Sequence, residues 1–273
     1  MAGLVRTQPL ISLAGSSQFI KIPETQLKIS IISAVLLCTA TATAQAAEFD
    51  INGMKLGINA DQVLARYQAL RPEGQHLFTK WSLPDGSEWV ANGRTLYNDL
   101  ANPDDMEHER YEFAFTGLGS GNKLFATRRK LQFKPSARPS TESVYAAAVK
   151  KYGEPSYLSN DGTSVWAAWK FSSVGAHAEK LDSSLDCITK SDFPVGLDEH
   201  TVGKAKKAMD VCGLYIEFSV KGNQTGLATG LDMAMINYLD LAQDFDTDNQ
   251  DARKRIDAAK TKNTSKAAPA PEL

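Results

Sequence analysis

The chain has 273 residues, with 30 Lys and Arg against 32 Asp and Glu, so its formal net charge is −2. A hydrophobic share of 42% with 23% charged residues is typical of a globular protein and excludes a disordered or fibrous chain. The slightly acidic balance argues against nucleic-acid binding, which needs a strongly basic surface. The length allows one domain of moderate size or two small ones.

Residues 1–46 have the features of an N-terminal extension that ends in a signal peptide. The apolar run 29–40 is shorter than the roughly 20 residues that cross a bilayer. It leads to Ala-Gln-Ala at 44–46, a small-x-small pattern that signal peptidase accepts. Because Leu37 precedes Cys38, where a lipoprotein signal needs a small residue, we expect soluble export to the periplasm or beyond, with no membrane span after cleavage. A buried apolar helix is the alternative.

The cysteine count fits an exported protein. Removal of the signal leaves Cys187 and Cys212, an even pair, for which we predict a disulfide. The bond would close a loop of about 26 residues and stabilise the fold by roughly 3–4 kcal/mol. Metal binding is the alternative, but two cysteines without a neighbouring His pair do not complete a tetrahedral site. We therefore expect neither a metal nor a cofactor.

Periodicity predicts a helix followed by strands in the first half of the chain. Apolar residues recur at helical spacing over 60–70, directly after Asn59 and Gln62 in a capping-box arrangement. The turn signals at 84–86 and 92–93 then separate segments in which apolar and polar residues alternate. These segments predict strands at 77–83, 88–91, 94–97, 109–116 and 123–133.

The same order of elements recurs in the second half. Ser140 is the expected N-cap of a helix that ends at Tyr152 and Gly153. The polar region 172–212 contains both remaining cysteines, and 241–273 is predicted to form a charged helix and a disordered tail. Alternating patterns predict strands at 164–171, 213–220 and about 227–238.

These patterns predict an α+β fold in which both helices pack on one face of an antiparallel sheet. The globular domain is expected to span 47–240. Residues 61–65 align with 142–146 at an offset of 81, so the domain is interpreted as two tandem helix-plus-strands units, 47–135 and 136–240.

Two short motifs carry a resemblance to a known group of proteins. Residues 49–57, Phe-Asp-Ile-Asn-Gly-Met-Lys-Leu-Gly, lead into a helix that begins Ala-Asp-Gln-Val, and 149–155 read Val-Lys-Lys-Tyr-Gly-Glu-Pro. Both resemble motifs of bacterial envelope proteins that include the small lipoprotein subunit of the outer-membrane β-barrel assembly machinery, the tandem-repeat β-lactamase-inhibitor proteins and many uncharacterised periplasmic proteins. The resemblance implies helix-on-antiparallel-sheet units and a protein-binding role, and it brings no catalytic residues.

The densest basic segment of the domain is a candidate for partner binding. Alternation along a strand sends Arg129 to one sheet face and Arg128 and Lys130 to the other. On an exposed sheet face, these basic side chains would meet an acidic partner or anionic lipid headgroups. The alternative is a solvated edge that discourages strand aggregation.

Trp166 and Trp169 are further candidates. The two side chains point to opposite faces of one strand, so both cannot lie in the same core layer. One of them either anchors a partner in an exposed groove or is covered by 172–212.

Motifs that would indicate catalysis or metal binding are incomplete. The Gly-rich segment 117–121 joins two predicted strands, whereas a phosphate loop needs a helix after it, so a hairpin loop is expected. The acidic residues after 243 hint at calcium, but they lack the Gly and Glu of an EF-hand loop, and a helix N-terminus explains them equally well.

We therefore expect an exported, non-catalytic protein that binds an unidentified envelope protein or component. Two alternatives remain open: a periplasmic enzyme of the hydrolase type, whose residues would converge only in three dimensions, and a purely structural envelope factor.

Overall fold

The computed structural model describes residues 49–95, 108–171, 193, 199–208 and 212–265. The expected signal region 1–46, Cys187 and the tail after 265 lie outside them, so those expectations stay predictions. In the described part of the chain, no helix is both long and apolar enough to cross a membrane.

Helices and strands alternate in blocks along the described chain. The strands are β1 (Asp50–Ile51), β2 (Met54–Lys55), β3 (His76–Ser82), β4 (Glu88–Thr95), β5 (His108–Phe115), β6 (Leu124–Gln132), β7 (Tyr157–Asn160), β8 (Ser164–Phe171), β9 (Leu214–Gly222) and β10 (Ala228–Asn237). The helices are α1 (Ala60–Leu70), α2 (Thr141–Tyr152), α3 (Glu199–Ala208) and α4 (Tyr238–Thr264).

Eight strands form one antiparallel sheet in the order β3-β4-β5-β6-β10-β9-β8-β7. Each half of the sheet is a four-strand meander preceded by a helix, α1 before β3–β6 and α2 before β7–β10. The halves meet where β6 pairs antiparallel with β10. The fold is therefore α+β, with a helix-plus-strands order that occurs twice.

Both predicted helices lie on one sheet face, which we call the front face. Local signals define them: Asn59 and Gln62 form the capping box of α1, and Ser140 caps α2, which ends at Gly153. α1 buries Val63 and Tyr67 against Tyr111, Phe113 and Phe115 of β5. α2 buries Ala148 and Tyr152 in a second cluster with Trp169 and Phe218.

The β1–β2 hairpin joins the two front-face clusters. Ile51 belongs to the α2 cluster and Met54 to the α1 cluster. Its turn residues Asn52 and Gly53 have φ of 52° and 82°, values that favour Asn and Gly. Asn52 also donates a 2.7 Å hydrogen bond to the hydroxyl of Tyr111. The segment that carries the first resemblance motif is thus part of the core.

The opposite face, which we call the back face, is covered in part by α3 and α4. Val202 and Ala205 of α3 pack with Tyr238 and Leu241 of α4 over strand residues such as Ile236. α4 begins at Tyr238, before the predicted start of the charged helix at 241. Its first turns are not purely solvated, because they carry apolar residues that belong to this cluster. Cys212, one half of the predicted disulfide, is also buried there.

Three local interpretations of the sequence were wrong or incomplete. Asn92 and Gly93, expected to form a turn, lie inside β4 and pair with both β3 and β5. Gly93 is needed there because a Cβ would lie 2.1 Å from Cδ1 of Phe78. The short strand β7 and the polar helix α3 were not predicted, since neither has a strong apolar period.

Candidate functional site

A row of charged side chains crosses the back face at the centre of the sheet. Register places Arg94 of β4 opposite Glu112 of β5, and Glu112 opposite Arg128 of β6. Beyond Arg128 the row continues through Ala234 to Glu217 of β9. Side chains opposite one another on adjacent strands lie within interaction distance, so this register creates a polar layer beside the apolar back-face cluster.

A groove of about 520 Å³ opens over the first half of this row. We call it the arginine groove. Guanidinium groups from three adjacent strands line it, together with one carboxylate and apolar side chains. Its lining includes Leu77, Thr79, Arg94, Arg110, Glu112, Arg128 and Phe193.

Ion pairs fix two of the three guanidinium groups. Arg128 donates two hydrogen bonds to Asp232, at 2.9 Å from Nε and 2.7 Å from Nη2. Arg110 Nη2 lies 2.6 Å from Glu112, which also lies 3.5 Å from Nη1 of Arg128. Arg94 is exposed and makes no ion pair with a carboxylate among the described residues. It is therefore the cation best placed to meet a ligand.

The Arg128 guanidinium of the groove stays a cation near neutral pH. Burial lowers the pKa of the Arg128 guanidinium, but Asp232, Glu112 and Glu217 outweigh burial and hold that pKa above its ordinary value. Guanidinium groups are fixed cations with planar donor forks that match carboxylates. Among the described lining residues, none is a histidine or a cysteine. The guanidinium groups of the groove are thus suited to hold an anion.

Strand β3 forms the outer wall of the arginine groove. Leu77 lies opposite Arg94, and Trp81 lies opposite Trp89 at the other end of the strand. Leu77 is 51% exposed and Trp81 42% exposed. The Trp81 and Trp89 rings meet edge to face with centroids 5.7 Å apart. The wall therefore presents apolar side chains to solvent beside the guanidinium groups.

The predicted basic residues separate between the faces as the alternation indicated. Arg128 lines the groove, and Lys130 borders it at 3.9 Å from Glu112. Arg129 lies on the front face, where its Nε is 2.6 Å from Glu109. Only Arg128 of this segment is part of the groove.

The two predicted tryptophans lie elsewhere in the sheet. Trp169 is completely buried on the front face, and its Nε1 donates to the carbonyl of Gly153 at 2.8 Å. Trp166 is on the back face of β8, where it donates to the buried carboxylate of Glu217 at 2.8 Å. Neither tryptophan lines the arginine groove, and the burial of Trp169 argues against partner contact.

The Gly-rich loop after β5 binds an internal carboxylate. Asp248 of α4 accepts hydrogen bonds from the backbone N–H of Gly117 at 2.6 Å and of Ser120 at 2.8 Å. Gly119 permits the contact, because a Cβ there would lie 2.8 Å from Cβ of Asp251. The loop is a hairpin connection clamped to α4.

The acidic residues considered for calcium each have a protein partner. Asp244 pairs with Lys123 at 3.3 Å and Asp246 with Lys206 at 2.8 Å. Asp251 pairs with Arg255 at 2.6 Å. In the described part of the chain, no group of three or more His, Cys, Asp or Glu side chains is arranged to hold a metal ion.

Sequence reasoning missed Arg94, Arg110 and Glu112 as site residues. In β5, Arg110 and Glu112 alternate with Tyr111 and Phe113, so the period indicated that they share a face. Their meeting with Arg94 depends on the register between β4 and β5, which the misassigned turn at 92–93 concealed.

The fold and the groove define the class of this protein: an α+β sheet with two helix-plus-strands units and an arginine-lined groove on its back face. No protein-family model, no curated protein and no solved structure matches the chain.

Proposed function

We propose that this is an exported, non-catalytic binding protein whose arginine groove recognises an acidic segment of another envelope protein. The observation that carries the proposal is the cross-strand row Arg94, Glu112 and Arg128, which places the exposed Arg94 guanidinium in line with the ion-paired Arg128 in a groove that Arg110 also lines. Complementary charge favours encounter with a partner and determines its orientation.

Two further features support a protein partner. Leu77 and Phe193 add apolar surface beside the cations, and interfaces combine such anchors with arginine more often than with lysine. The resemblance of 49–57 and 149–155 to motifs of envelope proteins also favours a protein-binding role.

A binding titration tests the proposal. The probe is a fluorescein-labelled peptide of eight residues in which Glu and Val alternate, compared with a peptide in which Lys replaces Glu. We expect the purified protein to raise the anisotropy of the acidic peptide only. Arg94→Glu should weaken binding at least about tenfold, because charge reversal of a guanidinium in contact with a carboxylate costs about 1.4 kcal/mol or more.

Arg66→Glu is the matched control, since Arg66 is exposed on α1 over the front face and its reversal changes the net charge equally. Equal weakening by the two variants would contradict recognition in the groove. Preferential binding to vesicles of phosphatidylglycerol, again lost in Arg94→Glu, would replace the protein partner by a lipid surface.

A further inference from the structure

Strand β3 is an edge of the eight-stranded sheet as described. It is seven residues long, and all of its residues except Phe78 are exposed. An edge strand directs alternate N–H and C=O groups away from the sheet, where another extended chain can pair with them. The length and exposure of β3 make it a suitable template for such pairing.

The back-face side chains of β3 lead into the arginine groove. Leu77 and Thr79 line the groove, and register places them opposite Arg94 and Asn92. Trp81 continues the same face toward Trp89. Any chain that pairs with β3 would therefore place every second side chain along the rim of this groove.

We infer that β3 receives the acidic segment of the partner as an added antiparallel strand, an inference that rests on the proposed function. Neighbouring strands lie about 4.8 Å apart, so the added strand would lie about 9.6 Å from β4. An acidic side chain beside Leu77 and the long side chain of Arg94 together span that distance. Main-chain hydrogen bonds supply affinity, and the alternate side chains supply specificity.

The register also determines where an apolar side chain of the partner is favoured. Trp81 lies four residues along β3 from Leu77 and on the same face, about 13 Å away along an extended strand. A natural partner segment should therefore carry an apolar residue four positions from its acidic one, packed on the exposed Trp81 ring, in place of the Glu that the alternating peptide has there.

Charge distinguishes this occupant from a second copy of the chain. In edge-to-edge pairing of two copies, the strand added beside β3 would be β3 of the other copy, whose sequence His-Leu-Phe-Thr-Lys-Trp-Ser contains no carboxylate. That strand would bring no acidic side chain to Arg94. An acidic segment meets Arg94 with favourable charge.

Peptides methylated on the backbone nitrogen test strand addition directly. Two versions of the alternating Glu and Val peptide carry the same number of N-methyl groups, one on the Glu residues and the other on the Val residues. In an added strand only one set of N–H groups faces β3. We therefore expect one version to lose binding at least about tenfold and the other to bind within about twofold of the unmodified peptide.

Hydrogen exchange of the complex gives an independent readout. The unmodified peptide should slow amide exchange within 76–82, whereas β7 at the opposite edge of the sheet serves as the internal control. Equal binding of both methylated peptides without protection of β3 would overturn strand addition, while a remaining effect of Arg94→Glu would leave the groove proposal standing. Failure of every acidic peptide to bind would overturn both, and dimerisation through a protected β3 would assign the edge to a second copy.

Discussion

The carboxylate of Glu109 accepts a 2.6 Å hydrogen bond from Nε of Arg129 on the front face, between β5 and β6. The same carboxylate accepts from the Tyr111 hydroxyl at 2.9 Å and from Nε of Arg71, just after α1, at 3.0 Å. Burial raises the pKa of Glu109, but these partners, Arg129 foremost, outweigh it and hold the pKa below its ordinary value. The ionised carboxylate therefore ties the end of α1 to the sheet.

Glu109→Gln should lower the free energy of unfolding by about 2 kcal/mol near neutral pH, because the charged donors Arg129 and Arg71 lose a buried, ionised acceptor. The native pKa is lowered, so the stabilisation is present above the ordinary carboxyl pKa and is lost as pH falls through the native pKa. Urea unfolding between about pH 7 and about pH 3 measures this. Glu142→Gln, at an exposed position of α2, should have little effect, and a loss for Glu109→Gln that is independent of pH would contradict the assignment.

Asp248→Asn should loosen the clamp between the β5–β6 loop and α4. The carboxylate accepts from two backbone N–H groups and from the Ser120 hydroxyl at 3.0 Å. An amide replaces one acceptor oxygen by a donor, so we expect a loss of about 1–2 kcal/mol. Faster amide exchange at Gly117 and Ser120 is the direct measurement. Asp257→Asn, in an exposed pair with Lys260, should leave both amides unchanged.

Asp240→Asn should have the opposite effect on stability. Burial raises the pKa of Asp240, and the neighbouring Asp244 raises it further. Since the native pKa exceeds the ordinary value, the ionised form disfavours folding above the native pKa, and this cost disappears as pH falls toward the ordinary value. Thermal unfolding should show stabilisation of the variant near neutral pH and none in acid. A variant less stable at both pH values would refute this account.

Trp169→Ala and Trp166→Ala should differ strongly. Trp169 is completely buried among front-face residues, so its truncation should cost about 3–5 kcal/mol. Trp166 is only partly buried, with its ring 4.7 Å from that of Tyr157, so a smaller loss is expected. Denaturant unfolding of both variants compares them, and equal losses would show that burial does not account for the difference.

Local signals in the sequence were sufficient for the two front-face helices. Both caps, the capping box of Asn59 and Gln62 and the Ser140 cap, lie at the start of the helices they stabilise. No distant contact was therefore needed to predict α1 and α2. The turn predicted at Asn92 and Gly93 was wrong. Gly93 is required there by the ring of Phe78 on the neighbouring strand, which leaves no room for a Cβ. At such positions, tertiary packing overrides the local preference of Asn-Gly for a turn.

The candidate site was accessible to sequence reasoning only in part. Arg128 was proposed together with Arg129 and Lys130, and alternation placed Arg128 and Lys130 on the face opposite to Arg129. The meeting of Arg128 with Glu112 and with the more distant Arg94 is set by the register between strands, which periodicity within one strand does not encode.

Photo-crosslinking in cells of the source organism tests whether the arginine groove contacts an envelope protein. A benzophenone amino acid replaces Thr79, which is exposed on the groove wall, or Glu142, which is exposed on the front face. We expect crosslinking from position 79 to one envelope protein, mapped by mass spectrometry to an acidic segment, and loss of the product when Arg94→Glu is added. Identical products from both positions, or a product from position 79 that survives Arg94→Glu, would contradict recognition by the arginine groove.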